Sequence, residues 1–166
     1  CWAVFEAVKP SLIAGDSAGA NLSAAVAIHA RDLGVELLKG QVLIYPGLGG
    51  DMSKGSYITQ ANAPGLSTQD VIYYSKTYGG IGNKLAQPLC ETDYRGLPPA
   101  FLVACANDPL HDDAFDYAAR LKSAGVAAQV RDEPDLVHAY LRARYMSKAA
   151  AESFKAIVAA VKAFAA

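Results

Sequence analysis

Apolar residues in this chain fall into short continuous runs, separated by longer stretches with helical spacing. Leu12, Ile13 and Ala14 form the first run, closed by Gly15, and Gln41 to Tyr45 the second, closed by Pro46-Gly47. Ala100 to Cys105 is the third, introduced by Leu97-Pro98-Pro99, and Ala127 to Val130 the fourth. Runs of this length bounded by Gly and Pro predict short strands, the third of them buried. Between them the period becomes that of a helix. Trp2 to Val8 reads as a helix end stopped at Lys9-Pro10, because a residue preceding proline avoids the helical region. Ala18 to Arg31 reads as a helix with Leu22, Val26 and Leu33 on one side and Gly34 at its end. Thr68 to Tyr78 has Asp70 in its first turn and Gly79-Gly80 beyond it. Asp112 to Ala124 places Ala114, Tyr117, Ala118 and Leu121 at i, i+3, i+4 and i+7, with Gly125 as cap. The last helix, from about Lys148, is expected to bury Phe154, Ile157, Val158, Val161 and Phe164 on one face. Leu48 to Leu66, rich in Gly, Ser, Asn and Asp, reads as a long loop, and Ile81 to Pro99 as irregular. Strands alternating with helices imply an α/β fold, a mostly parallel sheet with flanking helices joined by right-handed crossovers.

Composition narrows the partners. The chain has 166 residues, 52% hydrophobic and 19% charged, enough for one domain with a single core. Lys plus Arg number 15 against 16 for Asp plus Glu, and no basic face stands out, so nucleic acid is not an expected partner. No apolar stretch approaches the roughly 20 residues needed to span a bilayer. Cys1, Cys90 and Cys105 are odd in number and widely spaced, which argues against a disulfide framework or a zinc site. That usage fits a reducing compartment, and a cytoplasmic location is expected.

The candidate chemistry lies in Gly15-Asp16-Ser17-Ala18-Gly19, a G-x-S-x-G element between the first strand and the first long helix. A nucleophile elbow needs that context: the serine sits on a sharp strained turn, and small residues two positions either side let the neighbouring chain approach. Ser17 would then be the nucleophile, with the Ala18 N–H facing a developing oxyanion from the helix N-terminus. The competing role is a simple helix N-cap. A serine hydroxyl is a poor nucleophile without a base, so the reading depends on a histidine. His29 is twelve residues on along the same helix, roughly 18 Å away, and cannot serve. His111 follows Asp108 on the same loop and has little freedom to reach the serine. His138 follows the last strand on a loop with Pro134 and Asp135, where a mobile segment could carry the imidazole over the strand ends. Asp108, just past the third strand, would accept the His138 N–H; its alternative is an Asp-Pro turn that caps the next helix. Asp112 and Asp113 suit the helix dipole, Glu133 and Asp135 read as solvated loop charges, and Asp16 as structural. Tyr73, Tyr74 and Tyr78 read first as core packing and second as the wall of an acyl pocket.

GDSAGANL, LPPAFLVACANDPLHDDAFDYAARL and the HAY tripeptide resemble the hormone-sensitive-lipase-like branch of the α/β-hydrolases over nearly the whole chain. The chain order Ser17, Asp108, His138 is that in which this fold delivers its triad. Ala20 stands where that branch usually has glycine. The resemblance implies a serine carboxylic-ester hydrolase for short-to-medium acyl esters, without metal or organic cofactor. Members of the branch also carry an H-G-G-G-type oxyanion loop well before the serine, and only sixteen residues precede Ser17 here. Residues 1–166 are therefore expected to be a partial catalytic domain without the N-terminal strands, oxyanion-loop segment and cap. The expected partners are a small-molecule ester and either the upstream segment or a second copy of the chain. Two other functions stay open: a non-catalytic ligand-binding, receptor-like module, against which His138 counts, and a peptidase or lactonase on the same fold.

Overall fold

A computed structural model describes residues 1–166. Four strands, β1 (Leu12–Asp16), β2 (Gly40–Ile44), β3 (Ala100–Asn107) and β4 (Ala128–Val137), form one sheet in that order, with every pair parallel. Crossovers carry α2 (Ala18–Asp32) between β1 and β2 and α5 (His111–Ser123) between β3 and β4. A longer connection from β2 to β3 holds the short α3 (Ser56–Thr59), α4 (Thr68–Tyr78) and a 3₁₀ turn at Pro88–Cys90. α1 (Trp2–Val8) precedes the sheet, and a 3₁₀ turn at Tyr140–Ala143 leads into α6 (Lys148–Ala165). No helix is long and apolar enough to cross a membrane.

Both faces are covered at the centre of the sheet, so β2 and most of β3 are buried, whereas the edge strands β1 and β4 are largely half-buried or exposed. Leu43, Leu102 and Ala104 point to the face packed by α2 and α5. Val42, Ile44, Phe101, Val103 and Cys105 point to the face packed by α6, where Ala150 and Ile157 are buried. Alternate residues therefore serve opposite cores, and each fully buried leucine contributes about 2 kcal/mol by leaving water.

Two helix faces differ from the sequence pattern. α2 turns Ala20, Ala24, Ala27 and Ile28 inward, whereas Leu33 is 57% exposed and Leu22 and Val26 are half-buried. Small side chains let this helix approach the sheet closely, which bulky residues would prevent. On α6 the buried residues are Ala150, Ser153 and Ile157; Val161 and Phe164 pack partly, and Phe154 lies under the Arg144 guanidinium. Phe164 occupies the space above Gly40, where an added Cβ would fall 2.3 Å from its ring.

β1 pairs only with β2, so its other edge is open. Beside that edge a groove of about 530 Å³ is lined by apolar residues of α1, β1 and α2, among them Val4, Val8, Ile13, Leu22 and Val26. β4 is longer than its apolar run predicts. Cys105 pairs with Glu133 and Asn107 with Val137, so three residues, Pro134 to Leu136, oppose the single Ala106. The bulge accommodates Pro134, which cannot donate to a ladder, on an edge strand. The predicted mobile loop before His138 is thus a bulged strand that ends one residue before it.

Candidate active site

The turn at Gly15 to Gly19 brings the end of β1 straight into α2. A Cβ on Gly15 would lie 2.3 Å from the carbonyl carbon of Gly19, so only glycine permits the approach. The same test on Gly19 meets nothing closer than 4.0 Å, so steric demand falls on one glycine of the motif, not both. Ser17 has φ 53° and ψ −118°, an unusual conformation for a residue with a side chain. It occupies the position before α2 yet makes no side-chain capping bond. Its N–H donates to Ile44 O at 2.9 Å, which ties the turn to β2. Ala18, the first residue of α2, lines the adjoining cavity with Ser17.

The Ser17 hydroxyl is directed at His138 instead. Ser17 Oγ lies 2.8 Å from His138 Nε2, and His138 Nδ1 lies 2.6 Å from Asp108 Oδ2. A carboxylate only accepts, so the Nδ1 proton sits toward Asp108 and leaves the Nε2 lone pair to accept from Ser17 Oγ–H. Asp108 is fully buried, and its other oxygen accepts the Leu110 N–H at 2.9 Å. One oxygen therefore holds the turn into α5 while the other holds the imidazole. The turn role and the imidazole role coexist.

The other titratable candidates lie elsewhere. His111 contacts Asp112 at 2.9 Å and Asp132 at 3.3 Å, away from the serine. His29 packs edge-on against Trp2. Glu133 is buried and paired with Arg131, not solvated as its neighbours suggested. Asp135 is exposed. Asp113 does sit in the first turn of α5, where a carboxylate suits the dipole, and it is also buried. It accepts from Leu48 N at 2.6 Å and from the Tyr57 hydroxyl at 3.1 Å, and burial pushes its carboxyl up to about 7.

Ser17 and His138 open onto a cavity of about 550 Å³. Met52, Tyr57 and Leu66 of the β2–β3 connection and Val71, Tyr74 and Tyr78 of α4 form its largely apolar walls. Of the three α4 tyrosines none is core: Tyr74 and Tyr78 line the cavity, while Tyr73 is exposed against Tyr74. On α4 the buried Val71 and the more exposed Tyr74 and Tyr78 share one helical face, the face turned to the cavity.

Three residues that shape the site carried no sequence signal of it. Asn21, one turn beyond Ser17, donates to Gly47 O at 2.8 Å and Ala86 O at 3.0 Å, tying together two cavity-lining loops. Tyr57 is held by Asp113 across the β2–β3 connection. Tyr45 stands edge-on to His138, with ring centroids 4.9 Å apart. Only the Tyr-Pro step after an apolar run marked that position, and such steps are common turn punctuation.

Comparison with known proteins agrees with this architecture. Carboxylesterase NlhH of Mycobacterium tuberculosis is 38% identical over 157 residues, covering 90% of this chain and 49% of its own length. Esterase LipI of the same organism is 36% identical over 134 residues, covering 78% and 42%. The crystal structure of the Pyrobaculum calidifontis esterase superposes with a TM-score of 0.85 at 31% identity, covering 92% of this chain and 52% of that one. The chain thus spans about half the length of the relatives it matches. A family profile described as the alpha/beta hydrolase fold matches residues 4–142, and with a strained serine at the strand-to-helix turn of a parallel sheet, the chain belongs to the α/β-hydrolase family.

Proposed function

We propose that this chain carries the nucleophile, base and acid of a serine carboxylic-ester hydrolase that works through an acyl-enzyme. The observation that carries the reading is the hydrogen-bonded chain from Ser17 Oγ through His138 to Asp108 at the wall of an apolar cavity. As Ser17 Oγ attacks the ester carbonyl, His138 Nε2 takes its proton, and buried Asp108 stabilises the resulting imidazolium. The Ala18 N–H, at the positive end of α2, stabilises the oxyanion. His138 then protonates the departing alcohol and activates the water that releases the acid. The cavity volume and its Met, Leu, Val and Tyr walls suit short-to-medium acyl esters. The names carboxylesterase and esterase of the relatives support the same reaction class. The three unpaired cysteines agree with a reducing, cytoplasmic setting.

The open β1 edge and its apolar groove are, on this reading, the seat of an upstream segment of the same protein that also brings a second oxyanion donor. Loss of one such donor costs about 10²- to 10³-fold in rate. Residues 1–166 alone are expected to be weakly active and to self-associate through the exposed edge, and to gain activity when the upstream sequence is supplied. A monomer as active as the longer protein would refute that part.

The test of the reaction itself is labelling by an organophosphate ester, read by peptide mass. Modification at Ser17, abolished in His138→Ala, is expected. An unlabelled Ser17 would point instead to a ligand-binding module.

A further inference from the structure

We propose that Tyr45 is a positioning residue for His138, and that Asp16 is the clamp that holds Tyr45. This rests on the reading of Ser17 and His138 as nucleophile and base.

Backbone strain marks the place. Four non-glycine residues have positive φ: Lys9, Ser17, Tyr45 and Ala139. Lys9 merely ends α1. The other three surround one imidazole: Ser17 bonds it, Ala139 follows it in the chain, and Tyr45 packs against its edge. A bulky aromatic residue at φ 36° is costly, and such strain persists only where surrounding contacts over-determine it. Those contacts are visible. The Tyr45 N–H donates to Val103 O at 2.8 Å, its ring is 1% exposed, and its hydroxyl donates to Asp16 Oδ2 at 3.0 Å. Tyr140 backs the ring from behind at 5.5 Å and bonds Ser153 of α6.

Asp16 is covalently next to Ser17, so these contacts close a circuit. Ser17 Oγ meets His138, His138 meets the Tyr45 ring, Tyr45 bonds Asp16, and the Asp16 peptide returns to Ser17. Nucleophile and base are thereby fixed against each other by a path independent of Asp108. Rotation of the imidazole about its Cβ–Cγ bond would break both of its own hydrogen bonds, and the edge-on ring blocks that rotation. Burial and the adjacent Asp16 carboxylate push the Tyr45 phenol well up, so it stays neutral and acts as donor, not as acid. Tyr45 does not line the cavity, so it acts through His138 rather than on substrate.

The experiment uses the protein expressed from its whole reading frame and compares Tyr45→Phe, Asp16→Ala, Asp16→Asn and the double variant Tyr45→Phe/Asp16→Ala. Tyr45→Phe keeps the ring and removes only the clamped oxygen. For Tyr45→Phe we expect about a tenfold fall in kcat for p-nitrophenyl esters with KM unchanged and a small fall in melting temperature, and for Asp16→Ala, where the native residue also lines the cavity, a similar fall in kcat. Asp16→Asn keeps an acceptor for the phenol and should recover most of the rate. The double variant should be no slower than either single one, because both break the same contact. Wild-type kcat in Tyr45→Phe, or losses that multiply in the double variant, would overturn the proposal while organophosphate labelling of Ser17 still upheld the esterase reading. Should Asp16→Ala fail to fold, Tyr45→Phe alone decides. If wild-type Ser17 is not labelled at all, the reading beneath the proposal falls instead.

Discussion

Asn107 of β3 and Val137 of β4 are direct register partners, although two residues earlier in β3 the partner of Cys105 is Glu133. The two extra residues bulged from β4 let the strand keep pairing past Pro134 and end beside the turn that carries Asp108. His138, the next residue, is therefore delivered by a paired strand, where it meets Asp108 at 2.6 Å. The placement of His138 is a property of sheet register, not of loop mobility.

If Ser17, His138 and Asp108 act as a unit, Ser17→Ala and His138→Ala should each lower p-nitrophenyl ester hydrolysis by about 10³-fold or more. His111→Ala should be nearly silent, since the hydrogen bonds of His111 go to Asp112 and Asp132 and its ring packs on Phe115, away from Ser17. Steady-state kinetics of the three variants checks this, and the opposite ranking of the two histidines would reassign the base.

The two glycines of the turn should respond differently. Gly15→Ala forces a Cβ into the Gly19 carbonyl and is expected to abolish folding or activity. Gly19→Ala meets no clash and lies on a helix, where alanine is favoured by up to about 1 kcal/mol. Thermal melts of the pair measure the contrast. Equal losses would show that the strain at Ser17 is maintained by something other than the Gly15 approach.

Asn21 should matter for binding more than for chemistry. Asn21→Ala leaves Gly47 O and Ala86 O without their donor and is expected to cost about 1–3 kcal/mol of stability. Both loops line the cavity, so KM should rise several-fold while kcat changes less. A fall in kcat alone, with KM constant, would place Asn21 in the reacting machinery.

Asp113 makes a pH-dependent contribution to stability. Its carboxyl is raised from 3.8 to about 7 by burial, so between those values the folded state holds a proton that the unfolded state has lost. The contribution is therefore full below the ordinary value and fades as pH rises through about 7. The melting-temperature advantage of the native protein over Asp113→Asn should shrink from pH 4.5 to pH 8. An advantage that grows with pH would mean that the donors on Asp113, not burial, set its charge.

The sequence by itself determined the elements and the chemistry that local patterns encode. Four apolar runs became four parallel strands, and the two central ones are buried because helices cover both faces there. G-x-S-x-G announced a strained turn at Ser17, because Gly15 has no substitute there. Spacing excluded His29 and disfavoured His111 for reasons of reach along one helix or one loop. Tertiary structure alone decided which side of α2 turns inward, because close approach to a sheet selects small residues over large ones. It also placed Asp113 in the interior, its partners Leu48, Gly50 and Tyr57 lying more than fifty residues away in the chain. Tyr45 and Asn21 belong to the same class: their contacts to His138, Asp16, Gly47 and Ala86 cross between elements. Such contacts leave no periodic trace in the chain, since periodicity records which face a residue occupies and not what that face meets.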